Sequence, residues 1–307
     1  MNSWKKERSI LAKSAACLVF VIGLTALVSN PTLTDGHKPS ERVTWTQNEA
    51  PQLPNREDLA GETVPMDAFG VRDQLDRELI VNTYHHSSTM LYFKRAARWF
   101  PIIEPILREN GLPEDMKYLA IIESGLAQVV SPAGATGFWQ FMKGTAPQYG
   151  LKVTKEIDER YHVAKATQAA CTYLLESREE FGSWALAAAS YNMGKAGVRK
   201  AMEKQGVGTY WELHLNSETA RYVYRLLAIK AIFEAPESFG FSIDEDALYR
   251  PHETRTVWVT SSIEDAAAFA LQEGANLKSL KILNPWLRSD RLTIAPGDSV
   301  AIDLPIE

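Results

Sequence analysis

The chain has 307 residues, of which 45% are hydrophobic and 23% charged, and its net charge is -5. That is room for one sizeable domain and a smaller one, and the negative balance excludes a general attraction to nucleic acid or anionic lipid. Two cysteines, Cys17 and Cys171, make no disulfide framework.

Residues 1–30 read as a targeting segment. Lys5, Lys6 and Arg8 form a basic start, and the run SAACLVFVIGLTALVS from Ser14 to Ser29 carries no charge. This is long for the apolar region of a signal peptide and short for a full membrane span. No A-x-A cleavage site follows, so a cleaved signal peptide and a retained N-terminal anchor both fit. Cys17 precedes the apolar core, which argues against a lipoprotein site. A buried N-terminal helix is the alternative, but the polar, Pro-containing stretch 31–65 fits export better and reads as a flexible linker. An exported location follows as the expectation, in the periplasm or cell envelope, with membrane association through the N-terminal segment if it is retained.

Residues 66–245 read as helical. Asn110-Gly111 ends one helix, and Pro113 opens the next with Glu114 and Asp115 at its positive end. Gly182 stops a further helix. Ser183 suits the cap of the helix carrying Trp184 to Tyr191, and Asn216 or Ser217 that of one running to about Ala235. Cys171 falls on an apolar face, as a buried small hydrophobe would. The His85-His86 pair has no carboxylate at metal-ligand spacing and reads as surface. Within 250–307 the texture changes: RTVWVTS predicts a strand, SIEDAAAFALQEG a helix with a Ser cap, LKSLKILNPWL a second helix and DSVAIDLP a closing strand. The fold class is therefore mainly α, with a small β-α-α-β domain after the helical one.

The segment MKYLAIIESG carries the first chemistry. On a helix, Met116, Leu119 and Ala120 make one stripe, and Glu123 falls at i+7 of it. Burial disfavours an ionised carboxylate and raises its pKa, and a carboxylic acid protonated near neutral pH is what a general acid for glycosidic cleavage needs. A helix-end Glu reaching solvent or a lysine is the plain alternative. Next, SPAGATGFWQFM sets Ser131, Pro132, Gly134 and Gly137 around a turn and then delivers Trp139, Gln140, Phe141 and Met142. Glycines permit close backbone approach to a ligand, and aromatic faces suit sugar rings. Tyr191 follows Trp184, Ala187 and Ala188 in a helical stripe, and Tyr222 shares one with Leu226, Ile229 and Phe233. By periodicity alone both tyrosines read as core. A buried tyrosine still needs a partner for its hydroxyl, and Glu123 could be that partner for Tyr222.

The Glu-Ser pair, SPAGATGFWQFM, AASYNMG and ETARYVYRLLA, in that order over about residues 85–240, resemble the lysozyme-like helical domain of lytic murein transglycosylases (the SLT domain, glycoside hydrolase family 23). The nearest pattern is that of the membrane-bound lytic murein transglycosylase D group. Ser190 stands where Ala is usual, and Phe138 where Leu is common. The resemblance implies Glu123 as the catalytic acid/base. It implies substrate-binding roles for Ser124, Ser131, Gln140, Met142, Tyr191, Asn192 and Tyr222, with no cofactor and no metal. It also implies non-hydrolytic cleavage of peptidoglycan glycan strands between N-acetylmuramic acid and N-acetylglucosamine, leaving 1,6-anhydro ends. The C-terminal unit resembles a LysM module, although TSS stands where that motif opens on G-D-T; a structural cap without sugar affinity fits it as well. Two rivals remain at this level. A lysozyme-type hydrolase needs a second carboxylate, for which Asp158 and Glu159 are the nearest in sequence, and a non-catalytic wall-binding scaffold needs no acid at all.

Overall fold

A computed structural model describes residues 50–306; the leader with Cys17, and the linker up to residue 49, lie outside the described residues. The described chain begins with a short hairpin, β1 (Asp58–Leu59) and β2 (Glu62–Thr63). Then come α1 (Val71–Tyr84), α2 (His86–Glu109), α3 (Lys117–Ser124), α4 (Val163–Phe181), α5 (Trp184–Met193), α6 (Lys195–Gln205) and α7 (Thr219–Glu234). The C-terminal unit is β3 (Thr254–Val259), α8 (Ala266–Gln272), α9 (Leu277–Leu283) and β4 (Val300–Pro305). The expected mainly α architecture and the β-α-α-β order are both present.

The helix ends follow from local chemistry. Gly125 and Gly182 close α3 and α4 in the left-handed conformation, at φ 60° and 69°. The Asn216 carboxamide accepts from the backbone N–H groups of Glu218 and Thr219, both at 3.0 Å, and so caps α7. The cap of α8 is Asp265, which accepts from Ala267 and Ala268, instead of the expected serine; a carboxylate also complements the positive helix end. Helix α5 lies at the centre. Ala187, Ala188 and Ala189 are fully buried, and such small side chains let α4, α6 and α7 pack closely around it. Cys171 is buried on α4, and His85 and His86 are exposed as expected.

The end of the segment expected to be a linker is instead part of the core. Leu59 and Val64 are buried, and the buried Lys230 ammonium reaches the Asp58 carbonyl at 3.0 Å and the Asp115 carboxylate at 2.9 Å. Asp115 also accepts from the Ala60 N–H at 2.7 Å. The Glu62 carboxylate accepts from the Trp184 N–H at 2.9 Å and the Ser183 hydroxyl at 3.0 Å, so it caps α5 from a distant part of the chain. Two-residue strands show no alternation to read, and these polar contacts leave no apolar period in the sequence.

The two cores are joined through residues 156–161. Strands β3 and β4 pair antiparallel from Thr254 opposite Pro305 to Val259 opposite Val300. Ile157 and Tyr161, from the helical domain, lie in the same apolar cluster as Ala270, Leu280, Ile302 and Leu304. The Asp158 N–H donates to the Trp286 carbonyl at 2.9 Å, and the Arg288 N–H to the Glu156 carbonyl at 2.8 Å. Backbone pairing and shared apolar burial make this a fixed junction.

The Glu62 contact gives a test. Glu62→Ala should lower stability by about 1–2 kcal/mol, the usual cost of losing a helix cap, and a denaturant melt reads it directly. An unchanged midpoint would show that the hairpin does not hold α5.

Candidate active site

Glu123 sits in the last turn of α3. Met116, Leu119 and Ala120 behind it are fully buried, so the stripe read from the sequence points inward and carries the carboxylate with it. Glu123 itself is half-buried. Its Oε1 accepts from the hydroxyl of the buried Tyr222 on α7 at 2.5 Å. Burial raises the Glu123 pKa from its ordinary 4.5 to about 7; the Tyr222 hydrogen bond opposes this, the Glu218 charge adds to it and the Arg225 charge opposes it. Burial, and then the Glu123 charge, hold the Tyr222 and Tyr191 hydroxyls well above the usual phenol range, so both remain donors.

The loop after α3 is held by its backbone. Gly125 and Leu126 are both left-handed, at φ 60° and 54°, and the Arg95 guanidinium donates to the Gly125 carbonyl at 2.9 Å. The Ser124 hydroxyl donates to the Phe138 carbonyl at 2.9 Å, and the Tyr191 hydroxyl to the Trp139 carbonyl at 2.8 Å. Gln140 adopts φ 48°, an uncommon conformation for a residue with a side chain, and its Nε2 donates to the Gly137 carbonyl at 2.7 Å. At Gly137, φ 80°, a Cβ would lie 2.0 Å from the Arg160 carbonyl oxygen, so no other residue fits there. Arg160 completes the support: its guanidinium takes both Asp158 oxygens at 2.9 and 2.7 Å and donates to the Gly134 and Phe141 carbonyls, each at 3.1 Å.

Not every residue expected at a ligand surface is there. Trp139 and Phe141 are buried, with the Trp139 indole N–H on Thr167 at 2.9 Å, so they pack the core instead of presenting faces to a sugar. Ser131 closes its own turn by accepting from the Ala135 N–H at 3.0 Å. Met142 is 43% exposed. Asn192 accepts from the Thr219 hydroxyl at 2.6 Å and donates to Glu218 at 3.1 Å, which links α5 to the start of α7. The departures from the family pattern are accommodated: Ser190 is buried and donates to the Ala187 carbonyl at 2.7 Å, while Phe138 packs edge-on against Trp99. Among the described residues no group of three or more His, Cys, Asp or Glu side chains is placed to hold a metal.

Residues 100–213, which hold Glu123, the glycine-rich loop and Tyr191, match the transglycosylase SLT domain family. Residues 255–307 match the soluble lytic transglycosylase C-terminal LysM-like domain. Membrane-bound lytic murein transglycosylase D of Escherichia coli (strain K12) is 31% identical over 232 residues, and the same protein of Escherichia coli O6:H1 matches equally. Each match covers 72% of this chain and 49% of the relative, so the chain spans about half the length of the curated relatives it matches.

Three further residues belong to the candidate site and were not singled out by the sequence. Glu218 and Arg225 are the charged groups that act on Glu123, and both lie in the ETARYVYR segment that marked the family. Arg160, which pins the loop, carried no signal, because a buried ion pair has no periodicity.

The raised Glu123 pKa has a linkage consequence. The folded value lies above the unfolded one, so between about pH 4.5 and 7 the folded chain holds a proton that the unfolded chain has lost. Stability contributed by this group falls as pH rises through that window and is level above it. Glu123→Gln should therefore match the parent in melts near pH 4 and exceed it by up to about 3 kcal/mol at pH 8. A variant no more stable at pH 8 than at pH 4, relative to the parent, would contradict the raised value.

Proposed function

We propose that the chain is a peptidoglycan lytic transglycosylase with Glu123 as its single acid/base. The carrying observation is a half-buried carboxyl group near pKa 7, held by a buried tyrosine at a helix end, in an SLT domain. In this reading protonated Glu123 gives its proton to the glycosidic oxygen between N-acetylmuramic acid and N-acetylglucosamine, and the C1–O bond breaks. The 2-acetamido group of the muramic acid stabilises the cationic sugar. The Glu123 carboxylate then takes the C6 hydroxyl proton as O6 closes on C1. The product carries a 1,6-anhydro ring, the enzyme recovers its proton, and no water is consumed. The internal nucleophile is favoured because it is already held in place. Ser124, Gln140 and Tyr191 shape the loop beside the acid, Asn192 positions Glu218, and Met142 supplies an exposed apolar contact.

The hydrolytic rival finds no support at Asp158 or Glu159. Asp158 is buried against Arg160, and Glu159 is held by Lys165 at 2.5 Å and by the Lys152 N–H at 2.7 Å. Glu218 is a different matter. It is exposed at the start of α7, and its charge reaches Glu123. A hydrolase using Glu218 to activate water is therefore the second reading.

The wall-facing location belongs to this proposal. The basic, apolar leader fits export, and the relatives carry the name membrane-bound. Among the described residues no helix is long and apolar enough to cross a membrane; in this reading any anchor is the N-terminal segment. The LysM-like module would add affinity for the wall.

Mass spectrometry of fragments released from purified sacculi tests the chemistry. Anhydro-muramic ends are expected, while reducing ends would point to hydrolysis. Glu123→Gln should lose about a hundred- to ten-thousand-fold in rate, the usual weight of a general acid-base group; retention of more than a tenth would remove Glu123 from this role. Glu218→Gln should leave the anhydro product unchanged in kind. Fractionation of cells should place the chain in the envelope, and a cytoplasmic pool of the intact chain would contradict export.

A further inference from the structure

Residues 156–161 lie between the C-terminal module and the glycine-rich loop. Toward the module, Ile157 forms a backbone bridge with Leu287, and the Asp158 N–H donates to the Trp286 carbonyl at 2.9 Å. The Glu156 carboxylate accepts from the Thr293 N–H at 2.8 Å and its hydroxyl at 3.1 Å. The Arg288 guanidinium lies 4.3 Å from the centroid of the Tyr161 ring, close enough for a cation–π attraction. Toward the loop, the Arg160 guanidinium holds the Gly134 and Phe141 carbonyls, and the Arg160 carbonyl fills the space beside Gly137. The Tyr161 carbonyl accepts from the Gln128 side-chain amide at 2.8 Å.

Two residues therefore face both ways. Asp158 gives its backbone N–H to the module and its carboxylate to Arg160. Tyr161 gives its ring to the module's apolar core and its carbonyl to the loop. Asp158 and Arg160 are both buried, and a buried bidentate pair keeps its hydrogen bonds in one geometry only. Wherever the module sets the Asp158 backbone, the guanidinium must follow. The loop that the guanidinium holds includes Gln140 in its unfavourable left-handed conformation, which persists only under such constraint. At its far side the same loop takes the Ser124 hydroxyl, next in the chain to Glu123, on the Phe138 carbonyl.

We infer that the C-terminal module is a structural part of the active site: through Asp158 it fixes Arg160, a positioning residue, and through Arg160 the loop beside Glu123. The module then acts on turnover itself, apart from any affinity for the wall. This rests on the reading of Glu123 as the acid of a glycan-cleaving enzyme. The two roles separate kinetically. A module that only gathers substrate contributes nothing once substrate saturates, so weakening it raises KM and leaves kcat unchanged. A misplaced loop leaves bound substrate less often in reactive geometry, and kcat falls.

Steady-state kinetics of the full chain on soluble glycan fragments from sacculi test this, at a temperature where melts show every variant folded. Glu156→Ala combined with Arg288→Ala cuts side-chain ties to the module and leaves the loop's own contacts in place. It should lower kcat about threefold with KM within about twofold of the parent, the scale of coupling through a packed network. Arg160→Lys keeps the charge but loses the planar fork, and should lower kcat about tenfold, less than the hundredfold that a displacement of about 1 Å can cost. The triple variant should also lie near tenfold, because the changes act in series; independent effects would multiply to about thirtyfold. An unchanged kcat in the Glu156, Arg288 variant, with or without a higher KM, overturns the inference, as does full multiplication in the triple variant. An unchanged kcat in Arg160→Lys overturns the positioning role. The activity reading fails separately, through reducing-end products from the parent chain.

Discussion

The hydrogen bond from Tyr222 to Glu123 joins residues 99 positions apart, and the geometry around it follows from making that contact possible. Helix α7 must lie on α3, and a second polar contact fixes how it lies. Lys230, eight positions beyond Tyr222 on α7, meets Asp115, eight positions before Glu123. Eight helical residues span about 12 Å, so the two segments run antiparallel with a polar clamp at each end. The hairpin at residues 58–63 closes the outer clamp through the Asp58 carbonyl and the Ala60 N–H. A carboxyl group clamped in this way keeps its position whether or not it carries a proton. A long side chain on a free helix end would not.

The glycine-rich loop serves the same end by a different route. Its aromatic residues turn inward and its backbone carbonyls take side-chain donors from neighbouring helices. Trp139 and Phe141 anchor the loop in the core, and the carbonyls of Phe138 and Trp139 receive Ser124 and Tyr191. The density of special residues in SPAGATGFWQFM thus reflects a backbone shape more than a sugar-stacking surface. Gly137 must be glycine because the Arg160 carbonyl occupies the place of its Cβ. Gln140 holds a left-handed conformation that costs free energy on its own, and the loop keeps it there by hydrogen bonding its side chain back to Gly137. Strain of this kind persists only where the surroundings impose it.

What the sequence made legible was periodic. Glu123 could be placed because Met116, Leu119 and Ala120 recur at helical spacing, and the C-terminal unit because two strands bracket two short helices. Periodicity assigned both tyrosines to the core, and the need of a buried hydroxyl for a partner paired Tyr222 with Glu123; the Trp139 carbonyl that receives Tyr191 was not legible, since periodicity fixes a direction and not the backbone opposite. The hairpin at 58–63, the Asp158–Arg160 pair and the junction at Ile157 were not legible. Each depends on polar groups or single apolar residues meeting across long stretches of chain, and none leaves a repeat. The junction changes how the domains are understood, because Ile157 and Tyr161 of the helical domain lie in the core of the C-terminal module. Removing that module would expose them.

A single acid/base must donate a proton in one half of the proposed reaction and accept one in the other. A pKa far below neutrality would leave too little acid for the first step and too weak a base for the second, and one far above would leave too weak a driving force for giving the proton up. Burial pushes Glu123 upward, and the opposing influences hold it at about 7. Tyr222 favours the carboxylate by donating to it, Arg225 favours it by charge, and Glu218 works with burial in the other direction. These three residues fall within one stretch of eight, Glu218 to Arg225, at the start of α7. The same segment that positions the acid therefore also balances it, which is a physical reason for one motif to carry both a tyrosine and flanking charges of opposite sign.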